Sequence, residues 1–219
     1  MLETLEIETA PNPRSSVIWL HGLGADGYDF EPIVRELDLP PDAIRFVFPH
    51  APMMPVTINQ GFVMRAWYDI RAADIGAETD EKGIRASAKQ VGEMVDAEIA
   101  GGIAPQRIVL AGFSQGGAVV LQAGLRYGKQ LAGIIGLSTY LPLADSLDSE
   151  KSDVNAGIPI LLAHGSADPV ISVDLAYRSL EKLEQEGYAV EWHEYKGMPH
   201  SVSEQEIFHI AEWLEKVLL

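Results

Sequence analysis

Short apolar runs alternate with longer amphipathic segments along most of this chain. The runs are rich in β-branched and other apolar residues, a composition typical of buried strands. They lie at residues 17–20, 45–48, 107–111, 133–137, 160–163 and 190–195. Because predicted strands and helices alternate along the chain, the pattern predicts an α/β fold with a mostly parallel central sheet and helices on both faces.

The longer segments show helical spacing. Between residues 80 and 100, apolar side chains recur at Ile84, Val91 and Val95, and Gly101 with Gly102 ends the pattern. The same reasoning predicts helices at residues 115–126, 173–186 and 203–217. Repeats and linkers are absent, and 219 residues with 47% hydrophobic content suit one large core. We therefore expect a single domain over residues 1–219.

Two connections depart from this alternation. Residues 49–79 show little periodicity, yet they are apolar and hold three of the six methionines. Loops longer than about 12 to 15 residues inside compact domains are usually functional or disordered, and the apolar content argues for function. Residues 138–159 lie where many enzymes of this architecture insert a cap. They are too few for a cap domain, so we expect no large cap and an open cleft.

Charge and composition exclude several classes of function. Sixteen basic against 32 acidic side chains give a formal net charge of −16, which repels nucleic acid and anionic lipid. The absence of cysteine excludes disulfides, thiolate catalysis and cysteine-ligated metals. The acidic N-terminus does not resemble a signal peptide, and no apolar run approaches the roughly 18 residues of a membrane helix. We expect a cytoplasmic protein without integral membrane association.

A candidate nucleophile lies where one predicted strand passes into a helix. Residues 112–116 read Gly-Phe-Ser-Gln-Gly and match GxSxG, a weak signal by itself. Its setting is more informative, because a β-branched run precedes it and small, helix-compatible residues follow. This is the strand, sharp turn and helix of a nucleophile elbow, with Ser114 at the turn. A glycine-rich phosphate loop is the alternative, but no Lys-Ser/Thr pair follows these glycines.

A serine nucleophile needs a histidine base held by a carboxylate. In hydrolases with this elbow the order is serine, acid, histidine, with the histidine in a loop after the last strand. His200 fits that loop, whereas His193 falls in a predicted strand and His209 in a predicted helix. Asp168 follows the strand at residues 160–163, at the carboxyl edge of the sheet where such folds bind ligands. Asp145 is the alternative acid.

Acyl transfer also needs donors for the oxyanion of the tetrahedral intermediate. The residue after the nucleophile supplies one backbone N–H, which here is that of Gln115. A second donor is expected from the loop after the first predicted strand, where the sequence reads His21-Gly22-Leu23-Gly24. The glycines let an amide turn inward, so we assign this donor to Leu23.

With these residues in place, the chain resembles the carboxylesterase and acyl-protein thioesterase family of small α/β hydrolases over nearly its whole length. The resemblance implies an α/β-hydrolase fold, a Ser114–Asp168–His200 triad and no cofactor. The motifs that carry it are WLHGLG at 19–24, PHAP at 49–52, PVTIN at 55–59, WYDI at 67–70, GFSQGG at 112–117, LSTYLP at 137–142 and HGSADP at 164–169.

The resemblance carries further implications. In relatives the stretch matching residues 64–67 borders the active site, so we hypothesise that Met64 and Trp67 line an acyl pocket. Homodimers are known among such proteins, although no stretch of this sequence identifies an interface. Pro199 departs from the glycine that relatives commonly carry before the histidine. Because proline fixes φ and lacks an N–H, the path of that loop is left open.

The sequence therefore predicts a serine carboxylesterase that hydrolyses esters of short to medium acyl chains through an acyl-enzyme. Its partner would be a small-molecule ester or thioester. Acyl-protein thioesterase and lysophospholipase are the enzymatic alternatives. A non-catalytic binding protein with this fold is the alternative from another class, but such proteins have typically lost a member of the triad, and Ser114, Asp168 and His200 are all present.

Overall fold

The computed structural model describes residues 2–40, 44–72 and 79–219, and a seven-stranded sheet forms its centre. Its strands are β1 (Thr4–Glu8), β2 (Ser15–Leu20), β3 (Ile44–Pro49), β6 (Ile108–Phe113), β7 (Gly133–Leu137), β8 (Ile160–Gly165) and β9 (Val190–Tyr195). The strand order is β1-β3-β2-β6-β7-β8-β9, in which β1 runs antiparallel to β3 and every other pairing is parallel. The predicted mostly parallel sheet is confirmed.

Helices cover both faces of the sheet, as predicted. They are α1 (Ile33–Glu36), α2 (Glu81–Ala100), α3 (Gln115–Gly124), α4 (Leu147–Glu150), α5 (Val173–Gln185) and α6 (Glu204–Leu218). Successive strand side chains point to opposite faces, so Ile18 joins a core cluster with α2 and α3, whereas Val17 joins one with α1 and α6. Parallel strands buried on both faces read as continuous apolar runs, which is why the sequence identified them.

The long connection at residues 49–79 contains regular structure that the sequence did not predict. A two-stranded antiparallel hairpin is formed by β4 (Met53–Val56) and β5 (Phe62–Arg65), joined through the 3₁₀ turn Thr57–Asn59. Residues 73–78 of this connection lie outside the described part. Residues 53–65 of this predicted loop are therefore a hairpin. Its apolar side chains are largely exposed, so no alternation of buried and polar positions marks its strands.

Several smaller elements were also missed. The edge strand β1 was not predicted, although Leu5 and Ile7 alternate with acidic residues and pack against the core. Residues 138–159 contain α4 and the 3₁₀ turns Ala144–Ser146 and Asp153–Asn155. These elements are a few residues each, and no large cap is built from them. The carboxyl ends of β6, β7 and β8 therefore meet at one edge without a cap domain above them.

Candidate active site

Ser114 lies at the sharp turn between β6 and α3. Its φ of 53° and ψ of −118° are unusual for a residue with a side chain, and such backbone costs of order 1 to 3 kcal/mol. Hydrogen bonds fix this backbone on both sides. Ser114 N–H donates to the carbonyl of Leu137 at 2.8 Å, and its own carbonyl accepts from Thr139 Oγ1 at 2.7 Å. The predicted strand, turn and helix are therefore present at this serine.

The turn is packed so closely that two glycines are required. A Cβ added to Gly116 would lie 2.5 Å from the carbonyl oxygen of Leu20 and 2.6 Å from that of His21. A Cβ on Gly112 would lie 2.4 Å from the carbonyl carbon of Gly116. Atoms cannot approach so closely without moving the backbone, so the elbow and the end of β2 tolerate no side chain here.

Asp168 and His200 meet at the same edge of the sheet. His200 Nδ1 lies 2.7 Å from Asp168 Oδ2, and the Asp168 side chain is fully buried. Oδ1 of the same carboxylate accepts the backbone N–H groups of Val170 at 2.8 Å and Ile171 at 2.9 Å. A carboxylate oxygen accepts in this contact, so in the neutral ring Nδ1 of His200 carries the proton and Nε2 keeps a lone pair.

The imidazole of His200 lies beside the elbow. Its ring centroid is 4.7 Å from that of Phe113, the residue before Ser114. Pro199 does not prevent this approach. Gly197, two residues before Pro199, has a positive φ of 74°. The carbonyl of Pro199 accepts a hydrogen bond from Ser201 N–H at 2.8 Å. The loop thus carries His200 to Asp168 with proline in place.

A second histidine, His164, adjoins the same carboxylate and was not among the predicted site residues. His164 Nε2 lies 2.9 Å from the carbonyl oxygen of Ile171 and 3.4 Å from Asp168 Oδ2. Burial lowers the pKa of His164, which favours the neutral ring. A carbonyl only accepts, so Nε2–H donates to Ile171 and closes the turn that holds Asp168. Its position four residues before Asp168 was the available signal.

The predicted oxyanion loop lies against the nucleophile. A Cβ added to Gly22 would lie 3.5 Å from the Cβ of Ser114. Gly24 N–H donates to the carbonyl of Arg65 at 2.9 Å, which ties the loop to the hairpin. None of the residues described accepts a hydrogen bond from the backbone N–H of Leu23 or Gln115. Both predicted donors are therefore available to a ligand.

The side chain of Gln115 forms two hydrogen bonds that were not predicted, since only its backbone N–H had been assigned a role. Its Oε1 accepts the N–H of Trp67 at 2.8 Å, and its Nε2 donates to the carbonyl of Tyr68 at 2.7 Å. The indole N–H of Trp67 in turn donates to the carbonyl of His21 at 2.8 Å. The nucleophile helix, the segment after the hairpin and the oxyanion loop are thus joined through buried hydrogen bonds.

Met64 and Trp67, the residues predicted to line an acyl pocket, take different positions relative to the oxyanion loop. Trp67 is 2% exposed and packs its ring 5.2 Å from that of His21. Met64 is half-buried, and its sulfur is 3.7 Å from where a Cβ of Gly24 would lie. Trp67 supports the oxyanion loop from within the core, whereas Met64 flanks it.

The other candidates lie elsewhere. His193 and His209 stack on each other with centroids 4.2 Å apart, and Tyr195 hydroxyl lies 2.9 Å from His209 Nδ1. Asp145 is exposed in a 3₁₀ turn, and His200 pairs with Asp168 instead. Within the described ranges, no group of three or more potential metal ligands occurs. A search of the same ranges finds no helix long and apolar enough to cross a membrane.

Exposed apolar side chains flank the site on the hairpin. Phe62 is 68% exposed, Met53 58% and Val63 51%. Exposed large hydrophobic groups that cluster on one element are a feature of ligand or partner surfaces. Through Met64 and Arg65, this element contacts the oxyanion loop directly.

Comparison with known proteins bears on both fold and chemistry. Residues 3–218 match the profile of the Phospholipase/Carboxylesterase family. The chain is 36% identical over 233 residues to acyl-protein thioesterase 1 of Cryptococcus neoformans, covering 99% of this chain and 98% of the relative. It is 36% identical over 212 residues to a probable carboxylesterase of Oryza sativa subsp. japonica, covering 95% and 80%. Acyl-protein thioesterase 2 of Zea mays matches with a TM-score of 0.88, 28% identity and 100% coverage of both chains.

These matches confirm the α/β-hydrolase fold and agree with the absence of a large cap. The names of the relatives describe hydrolases of acyl esters and thioesters. They agree with the thioesterase alternative better than with a carboxylesterase of short to medium chains.

Proposed function

Because this chain belongs to the phospholipase/carboxylesterase family of hydrolases, we propose that it is a serine hydrolase that removes acyl groups from thioesters, with proteins acylated on cysteine as the substrate class. The observation that carries the catalytic part is the 2.7 Å pair between His200 and Asp168 beside the elbow of Ser114. The relatives named as acyl-protein thioesterases support the substrate class.

In the proposed first half-reaction, Ser114 Oγ attacks the acyl carbonyl carbon while His200 Nε2 takes its proton. Asp168 holds the imidazole in the required tautomer and stabilises its transient positive charge. The oxyanion accepts hydrogen bonds from the N–H groups of Leu23 and Gln115, each contributing roughly 3 to 4 kcal/mol. Collapse of the intermediate breaks the carbon–sulfur bond, and His200 transfers the proton that it took from Ser114 to the departing thiolate.

In the second half-reaction, water replaces the thiol. His200 takes a proton from this water, the oxygen attacks the acyl-enzyme, and a second oxyanion forms in the same place. Collapse releases the carboxylic acid and returns the proton to Ser114. No cofactor takes part in this cycle. Met64 and the exposed apolar hairpin beside Leu23 would contact the acyl chain of the substrate.

Fluorophosphonate labelling tests the catalytic part, since only an activated serine reacts. The wild-type protein should be labelled and should hydrolyse p-nitrophenyl esters. Ser114→Ala should lose both properties while unfolding at the same urea concentration. Ser149→Ala, an exposed serine on α4, is the matched control and should behave as wild type. An unlabelled wild-type protein, or turnover retained in Ser114→Ala, would refute the assignment.

A carboxylesterase is the second candidate, favoured by the family profile and by the lack of a cap over the site. Matched substrates separate the two activities. A peptide carrying a palmitoyl group on cysteine is compared with the same peptide acylated on serine, with p-nitrophenyl acetate and with a lysophospholipid. Higher kcat/KM on the thioester supports the proposal. Higher kcat/KM on the short ester would establish the carboxylesterase, and on the lysophospholipid a lysophospholipase.

A further inference from the structure

His21, at the end of β2, uses both nitrogens of a buried ring. Its Nδ1 lies 2.7 Å from the carbonyl oxygen of Gly22, and its Nε2 lies 3.0 Å from the backbone nitrogen of Ala51. The residue is 1% exposed, and no other residue described competes for either nitrogen. Nothing in the proposed reaction cycle assigns a task to this imidazole.

The two partners determine where the proton of the ring lies. The N–H of Ala51 can only donate, so Nε2 must accept. The carbonyl of Gly22 can only accept, so Nδ1 must carry the proton and donate. Burial lowers the pKa of His21 to about 4, so the ring is neutral at physiological pH and keeps this tautomer. His21 therefore accepts a hydrogen bond from Ala51 at Nε2 and donates one to Gly22 from Nδ1.

The hydrogen bond from His21 to the carbonyl of Gly22 fixes the orientation of the whole Gly22–Leu23 peptide group. In a trans peptide the C=O of one residue and the N–H of the next lie in one plane and point in opposite directions. The carbonyl of Gly22 and the N–H of Leu23 belong to the same peptide. Fixing the oxygen on His21 therefore sets the direction of the Leu23 N–H, which has no acceptor among the residues described.

We propose that His21 is a positioning residue that orients the Gly22–Leu23 peptide, so that the Leu23 N–H faces the oxyanion formed at Ser114. This inference rests on the proposed function. The surroundings support it, because Gly22 packs against the elbow: a Cβ added to it would lie 3.5 Å from the Cβ of Ser114 and 3.2 Å from the ring of Phe113. Trp67 donates to the carbonyl of His21 itself, and its ring packs against the imidazole. Besides His21, only the longer 3.4 Å bond from Ala25 N–H reaches the Gly22 carbonyl among the described residues.

Two conservative variants separate this role from simple anchoring. An asparagine amide can occupy the place of Nδ1, so His21→Asn can still donate to Gly22 but cannot reach Ala51. A glutamine amide can occupy the place of Nε2, so His21→Gln can accept from Ala51 but not donate to Gly22. Each variant loses one buried hydrogen bond, so a purely structural role predicts similar losses of stability and of turnover in both.

If His21 aims the donor, the two variants differ in kcat. His21→Gln should lose between about 10-fold and 100-fold, because removal of a complete oxyanion donor typically costs about 10²- to 10³-fold. His21→Asn should stay within about threefold of wild type. KM should change little in either, since the bond matters in the transition state. Affinity for a trifluoromethyl ketone, which forms an oxyanion on the serine, should fall in parallel with kcat.

Equal kcat in the two variants at similar urea midpoints would overturn the inference. If a variant fails to fold, NMR of the wild-type protein with nitrogen-15 histidine still decides, because it reports which ring nitrogen carries the proton. An Nε2–H or charged His21 at neutral pH would also overturn it. Failure of the proposed function looks different, since the wild-type protein would then resist fluorophosphonate and the variants could not be compared by turnover.

Discussion

Two neighbouring regions of this molecule are built in opposite ways. The catalytic edge is defined as Ser114, Asp168 and His200 with the turns that carry them. Ser114 and Asp168 are buried, His200 is partly exposed, and backbone hydrogen bonds hold the turns. The β4–β5 hairpin lies beside it and exposes Phe62 and Val63 to solvent. Contacts therefore restrict which side chains and which backbone conformations the catalytic edge can have, whereas packing does not restrict the exposed side chains of the hairpin.

This difference separates rate from recognition. Bond making and breaking depend on atoms held to within a fraction of an ångström, which buried turns provide. Acyl chains have no directional groups, so an apolar surface can bind them without such precision. We therefore expect substitutions in the catalytic edge to reduce turnover or folding for every substrate. Substitutions in the hairpin should instead alter which acyl chains are accepted.

The largest effect is expected from Asp168→Asn. The new amide oxygen can still accept the N–H groups of Val170 and Ile171, but its NH₂ would donate to His200 Nδ1. The ring would then carry its proton on Nε2 and could not act as a base. We expect kcat to fall about 10⁴-fold for long and short acyl substrates alike.

Stopped assays with p-nitrophenyl acetate and with a palmitoylated peptide measure this loss, and urea unfolding checks that the protein still folds. His193→Asn, in the stacked pair formed by His193 of β9 and His209 of α6, is the control and should retain wild-type turnover. A loss below about tenfold would show that Asp168 does not set the tautomer of the base.

The next largest effect is expected on the free energy of unfolding, when one glycine from each region is replaced by alanine. A side chain on Gly116 would contact the carbonyl oxygens of Leu20 and His21, so Gly116→Ala should cost about 3 kcal/mol or more in unfolding free energy. Gly61 in the hairpin has a positive φ of 77° but nothing within 4 Å of its added Cβ. Gly61→Ala should therefore cost only about 1 to 2 kcal/mol, from backbone strain alone.

Urea denaturation gives both free energies, and activity sharpens the comparison. Gly116→Ala should also lose turnover under conditions where it remains folded, because the displaced carbonyls of Leu20 and His21 lie where β2 passes into the oxyanion loop. Gly61→Ala should keep its turnover of short esters. Similar costs at the two positions would mean that the elbow is less tightly packed than its interatomic distances indicate.

The third expected effect concerns pH and a buried group outside both regions. Glu206 is fully buried in the first turn of α6, which follows the loop of His200, and forms a capping box with Ser203. Burial raises its pKa to about 8, against 4.5 for an unperturbed glutamate. The folded protein thus keeps a proton that the unfolded chain has already released. The contribution of Glu206 to the free energy of unfolding should therefore decrease as pH rises from about 4.5 to about 8.

Glu206→Gln removes the titration and retains a side chain suited to the capping box. Relative to wild type it should gain up to about 1.4 kcal/mol for each pH unit across that window. Urea unfolding near pH 5 and pH 8 measures the change, and Gly61→Ala in the hairpin should keep the wild-type slope. Parallel stability profiles for wild type and Glu206→Gln would show that Glu206 is ionised in the folded state.

The same contrast explains how much the sequence could predict. Strands β2, β3 and β6 to β8 are almost entirely buried, so hydrophobic runs reveal them, and parallel strand ends converge at a known edge. The proximity of Asp168, His200 and Ser114 follows from that topology. The hairpin gave no such signal, because its apolar residues face solvent and burial does not shape its pattern.

The supporting hydrogen bonds were beyond prediction for another reason. Ala51 lies 30 positions from His21 in the chain, and Trp67 lies 48 positions from Gln115. Such pairs have no sequence spacing that identifies them, since they depend on how separate connections pack above the sheet. His164 is the exception, because it belongs to the same short motif as Asp168.

The smallest effect on stability, and the most selective on activity, is expected in the hairpin. Phe62 is largely exposed, so Phe62→Ser should change the free energy of unfolding by no more than about 0.5 kcal/mol. If the ring covers one or two methylene groups of a bound acyl chain, its loss returns them to water at about 0.8 kcal/mol each. We expect kcat/KM for the palmitoylated peptide to fall about 4- to 15-fold through KM, with acetyl ester turnover unchanged.

Phe208→Ser provides the matched control, because Phe208 is 59% exposed on α6 and belongs to neither region. It removes the same ring from the surface and should leave both substrates unaffected. Assays on acyl chains of increasing length would show the effect of Phe62→Ser growing with length until the chain extends past the hairpin. A loss that is equal for acetyl and palmitoyl substrates would instead make the hairpin part of the catalytic edge, acting on the oxyanion loop through the bond between Gly24 and Arg65.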